Sequence, residues 1–242
     1  MGYRFRGCWI FLLALALGSC KEADDFEFVS KKFTVRIENV STANLVNTPR
    51  ADGTVPLSPG VYAVYDHYNP MFRVGMAADE GISRIAEDGF PEQEIMELQS
   101  MSKVLSGTFM SPGGPDNGPA IFAGEVATFT FRASPGDRLQ IATMFVQSND
   151  WFYAFGDKGL DLFDGLHAVE GDVTSHLVLY DAGTEEDTAP GTGPFQKPVQ
   201  DPLATNIGPD DAVNQIQKAA TRHPDFTIPS TAAVIKVTIT HQ

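Results

Sequence analysis

The feature that most constrains the fold is a regular alternation of apolar and polar residues in three separate stretches of the chain. It occurs in residues 32–40, in residues 127–132 and in residues 233–240. A period of two is that of a β-strand with one buried face and one solvated face. Antiparallel sheets have this pattern, so the three stretches predict a domain dominated by antiparallel β-sheet.

Two further stretches are apolar almost throughout, residues 138–146 and residues 173–180. This composition predicts central strands that are covered on both faces. Residues 134–137 (Ser-Pro-Gly-Asp) are rich in turn formers and separate the strand at 127–132 from the one at 138–146. We therefore predict a hairpin there, with residues 124–148 forming two adjacent antiparallel strands.

Helical spacing of apolar residues is concentrated in residues 79–105, where Gly89 and Pro91 divide it into two short helices. A third short helix is predicted over residues 210–221. Coil is predicted for residues 111–119 and 187–209, and five prolines interrupt the second of these segments. The sequence thus predicts one all-β dominated domain over residues 32–242, with a few short helices and long loops.

Residues 1–19 have the composition of an export signal. Arg4 and Arg6 precede an apolar run at residues 9–17, which is too short to be a stable transmembrane helix. The ending Leu-Gly-Ser-Cys at residues 17–20 resembles the bacterial lipobox, where a signal peptidase cleaves before a lipidated cysteine. We therefore expect lipidation of Cys20 and a tether over residues 20–31, with an ordinary secretory signal as the alternative.

Both cysteines, Cys8 and Cys20, lie in this N-terminal segment, so no disulfide is expected in the mature domain. The chain has 31 acidic and 17 basic residues and a formal net charge of −14. Such a surface repels nucleic acid and favours cations or basic partners. We expect a cell-envelope protein attached to the membrane by its lipid, and Lys21 after the cysteine favours the outer membrane or cell surface.

Two acidic segments end the apolar runs. Asp150 follows one run, Asp181 ends the other, and Glu185 comes shortly after it across a segment that contains Gly183. If the two strands are neighbours, these carboxylates meet at one rim of the sheet. A hard cation such as Ca²⁺ takes ~6–8 oxygen ligands, and carboxylates are suitable ones. The alternative is that the acids only cap strands and loops of an acidic protein.

The segments Ser-Asn-Asp-Trp-Phe (148–152) and Leu-Tyr-Asp-Ala-Gly-Thr-Glu (179–185) resemble the spondin N-terminal domain family. This resemblance implies a β-sandwich over residues 32–242 that holds Ca²⁺ with three aspartates. Asp150 and Asp181 occupy two of those positions, and Glu185 occupies the third. Because glutamate departs from the family pattern, Glu186 or Asp187 is left open as the third ligand.

The eukaryotic members of that family are secreted matrix and adhesion proteins. The resemblance therefore implies an adhesion or recognition module that engages a matrix component, glycan or protein through a loop rim organised by the metal. Trp151 and Phe152 are predicted to be core anchors beside this site.

The sequence contains no nucleophile elbow, phosphate-binding glycine loop or His-Glu-x-x-His zinc motif. Surface or hydrogen-bonded roles are predicted for the five histidines: His67, His167, His176, His223 and His241. We therefore do not expect an enzyme. The alternative is an exported hydrolase that uses two carboxylates as acid and base on glycans.

Overall fold

A computed structural model of the chain describes residues 1–2, 30–112 and 120–242. The predicted signal segment, Cys20 and most of the loop at 111–119 lie outside the described residues. Among the described residues, none of the helices is both long enough and apolar enough to cross a bilayer. Lipidation of Cys20 stays a prediction.

The described residues form mostly antiparallel β-strands with a few short helices. The strands are β1 (Lys31–Asn39), β2 (Gly60–Tyr65), β3 (Leu105–Phe109), β4 (Val126–Ala133), β5 (Arg138–Met144), β6 (Trp151–Phe155), β7 (Leu160–Asp161), β8 (Phe163–Asp164), β9 (His167–Ala168), β10 (Gly171–Asp172), β11 (Leu177–Asp181), β12 (Gln217–Lys218) and β13 (Ile235–His241). The α-helices are α1 (Glu80–Ser83), α2 (Glu92–Ser100), α3 (Ala219–Arg222) and α4 (Thr231–Val234), with a π-helical turn (Arg84–Asp88) and 3-10 segments at Arg50–Gly53, Thr174–His176 and Lys197–Val199.

Two antiparallel sheets face each other across one hydrophobic core. The first has the strand order β10-β13-β1-β4, and the second has the order β12-β11-β6-β5-β2-β3 with β7 paired to β5. Phe33 and Ile37 of the first sheet share a buried cluster with Leu139 and Trp151 of the second. The all-β, sandwich-like fold class predicted from the sequence is confirmed.

The first sheet accounts for the alternating stretches. Strands β1, β4 and β13 pair side by side, and their inward residues, such as Phe33 and Val35, are fully buried. Outward residues are polar, and Glu38 lies opposite Lys236 in the register. The period of two is present because only one face of this sheet contacts the core.

The second sheet is covered on both faces, as its apolar strands predicted. One face contacts the first sheet, while the other packs against the helical pair formed by α1, the π-helical turn and α2. Ile82, Ile85 and Leu98 of that pair lie in one buried cluster with Phe152 and Tyr180. The two short helices predicted in residues 79–105 are confirmed, with a left-handed residue at Gly89 between them.

The hairpin predicted at residues 134–137 is wrong in its strand pairing. The turn itself is present, with Asp137 N donating to Ser134 O at 3.0 Å and Gly136 at φ +98°. However, β4 pairs with β1 in the first sheet, whereas β5 pairs with β2, β6 and β7 in the second. The turn therefore carries the chain from a half-solvated sheet to a fully covered one, which matches the change of pattern between the two strands.

The helix predicted over residues 210–221 is also wrong for most of its length. Only Ala219–Arg222 is helical, and Gln217–Lys218 forms strand β12. Asp211 accepts a hydrogen bond from Val213 N at 2.7 Å, and Ile216 N donates to Met76 O at 2.8 Å. These contacts use backbone groups that a helix would have paired internally, because tertiary packing overrides a weak local preference.

Candidate metal centre

Strands β6 and β11 bring Asp150 and Asp181 to the same rim of the second sheet. The two strands are antiparallel neighbours, and Asp181 lies opposite Trp151 in the register. Asp150 immediately precedes β6, and its carbonyl accepts a hydrogen bond from Ala182 N at 3.0 Å. The two aspartates do approach each other, but not as the sequence analysis expected: the predicted strands at 138–146 and 173–180 are not neighbours, because β6 lies between β5 and β11 and Asp150 stands at the beginning of β6. Metal binding by these residues stays a prediction.

One carboxylate oxygen of Asp150 holds the loop that follows β11. Its Oδ2 atom accepts hydrogen bonds from Thr184 N at 2.7 Å, Thr184 Oγ1 at 3.1 Å and Glu185 N at 3.0 Å. Its Oδ1 atom is buried and has no hydrogen-bond partner among the described residues. Asp150 therefore organises the loop with one oxygen and leaves the other unsatisfied.

Asp187 supplies a third buried carboxylate. Its Oδ2 atom accepts a hydrogen bond from Trp151 Nε1 at 2.8 Å, while its Oδ1 atom is buried without a partner in the described part of the chain. His223 Nε2 lies 2.7 Å from Oδ2 of Asp187 and 2.7 Å from Oδ2 of Asp181. One ligand atom from each of Asp181, Asp187 and His223 falls within 4.8 Å of the others, a spacing suited to a single ion.

Helix α3 and the residue after it position the base of the site. Arg222 Nε lies 3.2 Å from Asp181 Oδ2, and the same guanidinium bonds the carbonyls of Val213 and Gln215. The His223 ring stacks on Trp151, with ring centroids 5.6 Å apart. These contacts hold the Arg222 and His223 side chains against the aspartates.

Glu185 and Glu186 are placed differently from Asp187. Glu185 Oε1 accepts a hydrogen bond from Gly208 N at 3.0 Å, and its Oε2 lies 3.4 Å from Asn149 Nδ2. The Glu186 side chain is exposed, and its backbone N–H donates to Pro209 O. Of the three acids left open by the sequence, Asp187 is the one that meets Asp181 and His223.

The site concentrates negative charge away from water. Burial raises the pKa of Asp150, and the charge of Asp181 raises it further. Burial also raises the pKa values of Asp181 and Asp187. Burial by itself would lower the pKa of His223, but hydrogen bonds to Asp187 and Asp181 raise it overall.

Three buried carboxylates therefore share few counter-charges. Among residues 30–112 and 120–242, Arg222 is the one permanently charged side chain in an ion pair with any of them. Excess buried charge of one sign is unfavourable, and the protein can relieve it by binding protons or a metal cation. A set dominated by carboxylate oxygens suits a hard cation, whereas an imidazole is also a common ligand of zinc.

The contributions of His223 and Arg222 were missed at the sequence level. His223 was predicted to be a surface or hydrogen-bonded residue, and it is hydrogen-bonded, but its position beside Asp181 was not foreseen. His223 and Asp181 are 42 positions apart in the sequence, and no motif links them. Trp151 and Phe152 are fully buried, as predicted, and Phe152 packs on the helical side of the sheet.

Gly183 is required by the loop that joins the aspartates. Its φ is +72°, and a Cβ there would lie 2.6 Å from the backbone N and O of Gln215. We expect Gly183→Ala to lower the free energy of unfolding by about 3 kcal/mol, because left-handed strain adds to a backbone collision. Urea denaturation of the purified variant measures this loss.

Gly165 provides the matched control for that substitution. Its φ is +60°, yet a Cβ there would meet nothing within 4 Å. Gly165→Ala should therefore cost only about 1 kcal/mol, from the left-handed conformation alone. Equal losses in the two variants would show that the close approach at Gly183 is unimportant.

Fold and site together define an antiparallel β-sandwich protein with a buried acidic centre at one rim of its second sheet. No protein-family model matches the chain, and no curated protein sequence matches it either. The resemblance to the spondin N-terminal domain accordingly rests on residues 148–152 and 179–185.

Proposed function

We propose that this chain is an exported, lipid-anchored recognition module in which a Ca²⁺ ion organises the loop of residues 182–188. The observation that carries the proposal is the pair of buried, unpartnered oxygens, Asp150 Oδ1 and Asp187 Oδ1. Asp187 lies at ligand spacing from Asp181 and His223, and Asp150 is close enough for the charge of Asp181 to raise its pKa. Buried polar atoms in proteins are nearly always satisfied, so these two indicate a ligand.

Ca²⁺ fits the donor set best. Carboxylates from Asp150, Asp181 and Asp187 are hard oxygen ligands, and backbone carbonyls or water complete the coordination of such ions. The ion would also offset the repulsion between these carboxylates, which adds to the effect of burial in raising their pKa values. Asp150 already holds this loop through hydrogen bonds to Thr184 and Glu185. The bound Ca²⁺ would fix the conformation of the loop further.

His223 and Arg222 would then act as supports for the ligands. Both contact Oδ2 of Asp181, and His223 also contacts Oδ2 of Asp187. Hydrogen bonds from such outer groups orient metal-binding side chains and strengthen binding. The stack of His223 on Trp151 keeps this support rigid.

The surface next to the loop suits a polar partner. A cavity of about 560 Å³ lies beside Thr184, and its lining consists of hydroxyl, amide and charged side chains. Its lining residues include Glu87, Asn206, Asp210 and Asn214. Such groups suit sugar hydroxyls or the basic side chains of a protein, so a matrix component, glycan or protein is the proposed partner class.

The export signal and the lipobox ending at Cys20 support a location in the cell envelope, with the outer membrane or cell surface favoured. The spondin resemblance of residues 148–152 and 179–185 supports adhesion rather than catalysis. The acidic surface argues against nucleic acid as a partner.

Calcium titration of two carboxylate variants tests the metal centre. We expect Asp187→Asn to lose the Ca²⁺ affinity of this centre by about a hundredfold, because it removes one charge and one unpartnered oxygen from the ligand set. Glu185→Gln should retain most of the affinity, because its carboxylate bonds Gly208 and Asn149 instead. Isothermal titration calorimetry of the full-length protein measures both.

The same pair of variants tests recognition. Binding to a glycan array or to matrix proteins should require Ca²⁺, should disappear with a chelator and in Asp187→Asn, and should persist in Glu185→Gln. The proposal fails if Asp187→Asn binds Ca²⁺ as tightly as the unmodified protein, or if partner binding is indifferent to the ion.

A further inference from the structure

A second group of carboxylates lies in the helical pair and shares no residue with the centre described above. Asp79 directly precedes α1, while Glu94 and Glu97 lie three residues apart on α2 and so share one side of that helix. One carboxylate oxygen from each of the three lies within 4.8 Å of the others. This arrangement connects the beginning of α1 with the middle of α2.

Glu94 distinguishes this group from an ordinary surface cluster of acids. Glu94 is only 1 % exposed, and its Oε2 atom is buried with no hydrogen-bond partner among the described residues. The carboxylate packs against the backbone at Gly81, where a Cβ would lie 2.2 Å from Oε2. A buried carboxylate oxygen without a donor is costly, so its presence calls for a ligand.

Within the residues that the structure describes, this acidic group has no bound counter-charge. In the described ranges, none of Asp79, Glu94 and Glu97 forms an ion pair with lysine, arginine or histidine. Asp79 accepts a hydrogen bond from Ile82 N at 3.0 Å, and Glu97 accepts one from Gln93 at 2.6 Å. Burial and the charges of Asp79 and Glu97 raise the pKa of Glu94 to about 9.

We propose that Asp79, Glu94 and Glu97 bind a second hard divalent cation, of the Ca²⁺ or Mg²⁺ type. The donors are all carboxylates, which such ions prefer to nitrogen or sulfur ligands. The ion would give the Glu94 carboxylate a partner and would offset the charge of acids that form no ion pair within residues 30–112 and 120–242. This inference goes beyond the proposed recognition function and does not depend on it.

The site is open to solvent on one side. Asp79 is exposed and borders a surface cavity of about 720 Å³, which Tyr65 and Lys103 also line. An ion can therefore enter from water, and water molecules can complete its coordination. The deep ligand is Glu94, and the outer ligands are Asp79 and Glu97.

The consequence of binding would be structural. Helices α1 and α2 pack together on the outer face of the second sheet, and an ion between Asp79 and α2 would join them. Binding to the native state alone stabilises it by mass action. The helical pair should therefore resist local opening more strongly when the ion is bound.

Calorimetric titration of the full-length protein with Ca²⁺, and separately with Mg²⁺, tests the second site. We expect two binding events in the unmodified protein with at least one of these ions. Glu94→Gln should remove one event, and Asp187→Asn should remove the other. Glu94→Gln is isosteric with the protonated acid, so we expect this variant to fold.

Glu92→Gln is the matched control, because Glu92 is exposed on the same helix and is absent from the cluster. It should leave both events intact. Amide hydrogen exchange gives an independent measure: the ion should slow exchange in residues 80–100 of Asp187→Asn, and this effect should be lost when Glu94→Gln is added.

The outcomes separate the two proposals. If only the event sensitive to Glu94→Gln is present, the second site stands and the proposed function fails. The second site is refuted if Glu94→Gln retains every event, if Asp187→Asn alone abolishes all binding, or if neither ion binds.

Discussion

Replacing Asp150 by alanine is expected to abolish Ca²⁺ binding at the centre formed with Asp181 and Asp187, and to lower the free energy of unfolding by about 3 kcal/mol in saturating Ca²⁺. Asp150 Oδ2 accepts three hydrogen bonds from Thr184 and Glu185, and alanine leaves these donors without their acceptor. The loop would then lose both its internal anchor and its ion.

Two variants separate these effects. Asp150→Asn keeps a side-chain oxygen that accepts hydrogen bonds but removes the charge, so it should fold more stably than Asp150→Ala while still losing Ca²⁺ affinity. Asp164→Ala, at an exposed aspartate, should change stability by less than about 0.5 kcal/mol. Urea denaturation with Ca²⁺ and with a chelator measures all three. An Asp150→Ala protein as stable as the unmodified one would contradict the assigned role.

Without metal, the protein should lose stability as the pH rises from about 4.5 to about 9, by about 3 kcal/mol or more in total. Burial raises the pKa of Glu185 from 4.5 to about 7 and that of Glu94 from 4.5 to about 9. The pKa values of Asp150, Asp181 and Asp187 are raised as well, chiefly by burial.

The sign follows from proton binding. Between its unfolded and folded pKa values, each of these acids holds more proton in the native state than in the unfolded state. Stability is therefore fully present below the unfolded pKa and declines as the pH rises through the folded pKa. The raised pKa of His223 acts in the same direction, because its protonated form is favoured in the native state.

Calcium should oppose this decline. The ion replaces protons at the aspartates, so the stabilisation by Ca²⁺ should be small near pH 4.5 and increase toward pH 9. Thermal denaturation across this range, in chelator and in saturating Ca²⁺, gives both curves. If the metal-free stability is constant or increases with pH, the buried acids do not have the raised pKa values on which this prediction depends.

The half-buried and fully buried strands were predictable because their signal is local. Strand β1 has apolar Phe33 and Val35 on one face, and β5 is mostly apolar and is buried on both faces, so the composition of each segment indicates its own exposure. The placement of Asp181 at the end of a strand follows from the same pattern. Asp150 instead begins β6, a strand that the pattern did not predict, and it meets Asp181 because β6 lies between β5 and β11.

Other features depend on contacts between distant segments. Nothing within residues 134–137 indicates that the turn joins two sheets, since a hairpin and a crossing between sheets use the same turn formers. Likewise, no sequence motif links His223 to Asp181, which are 42 positions apart. His223 follows helix α3, and only tertiary packing brings that helix to the site. The sequence around Glu94 does not distinguish it from an exposed helical glutamate. Its burial results from the packing of α1 against α2.

By itself, the sequence determined strands β1, β4, β5, β11 and β13, the faces that they bury and the aspartate that ends β11, because side-chain periodicity is a property of each segment. Only the tertiary structure decided which sheet each strand joins, that Asp187 rather than Glu185 meets Asp181 and His223, and that Glu94 is buried beside Asp79. These depend on burial and charge proximity, which arise when segments far apart in the chain pack together.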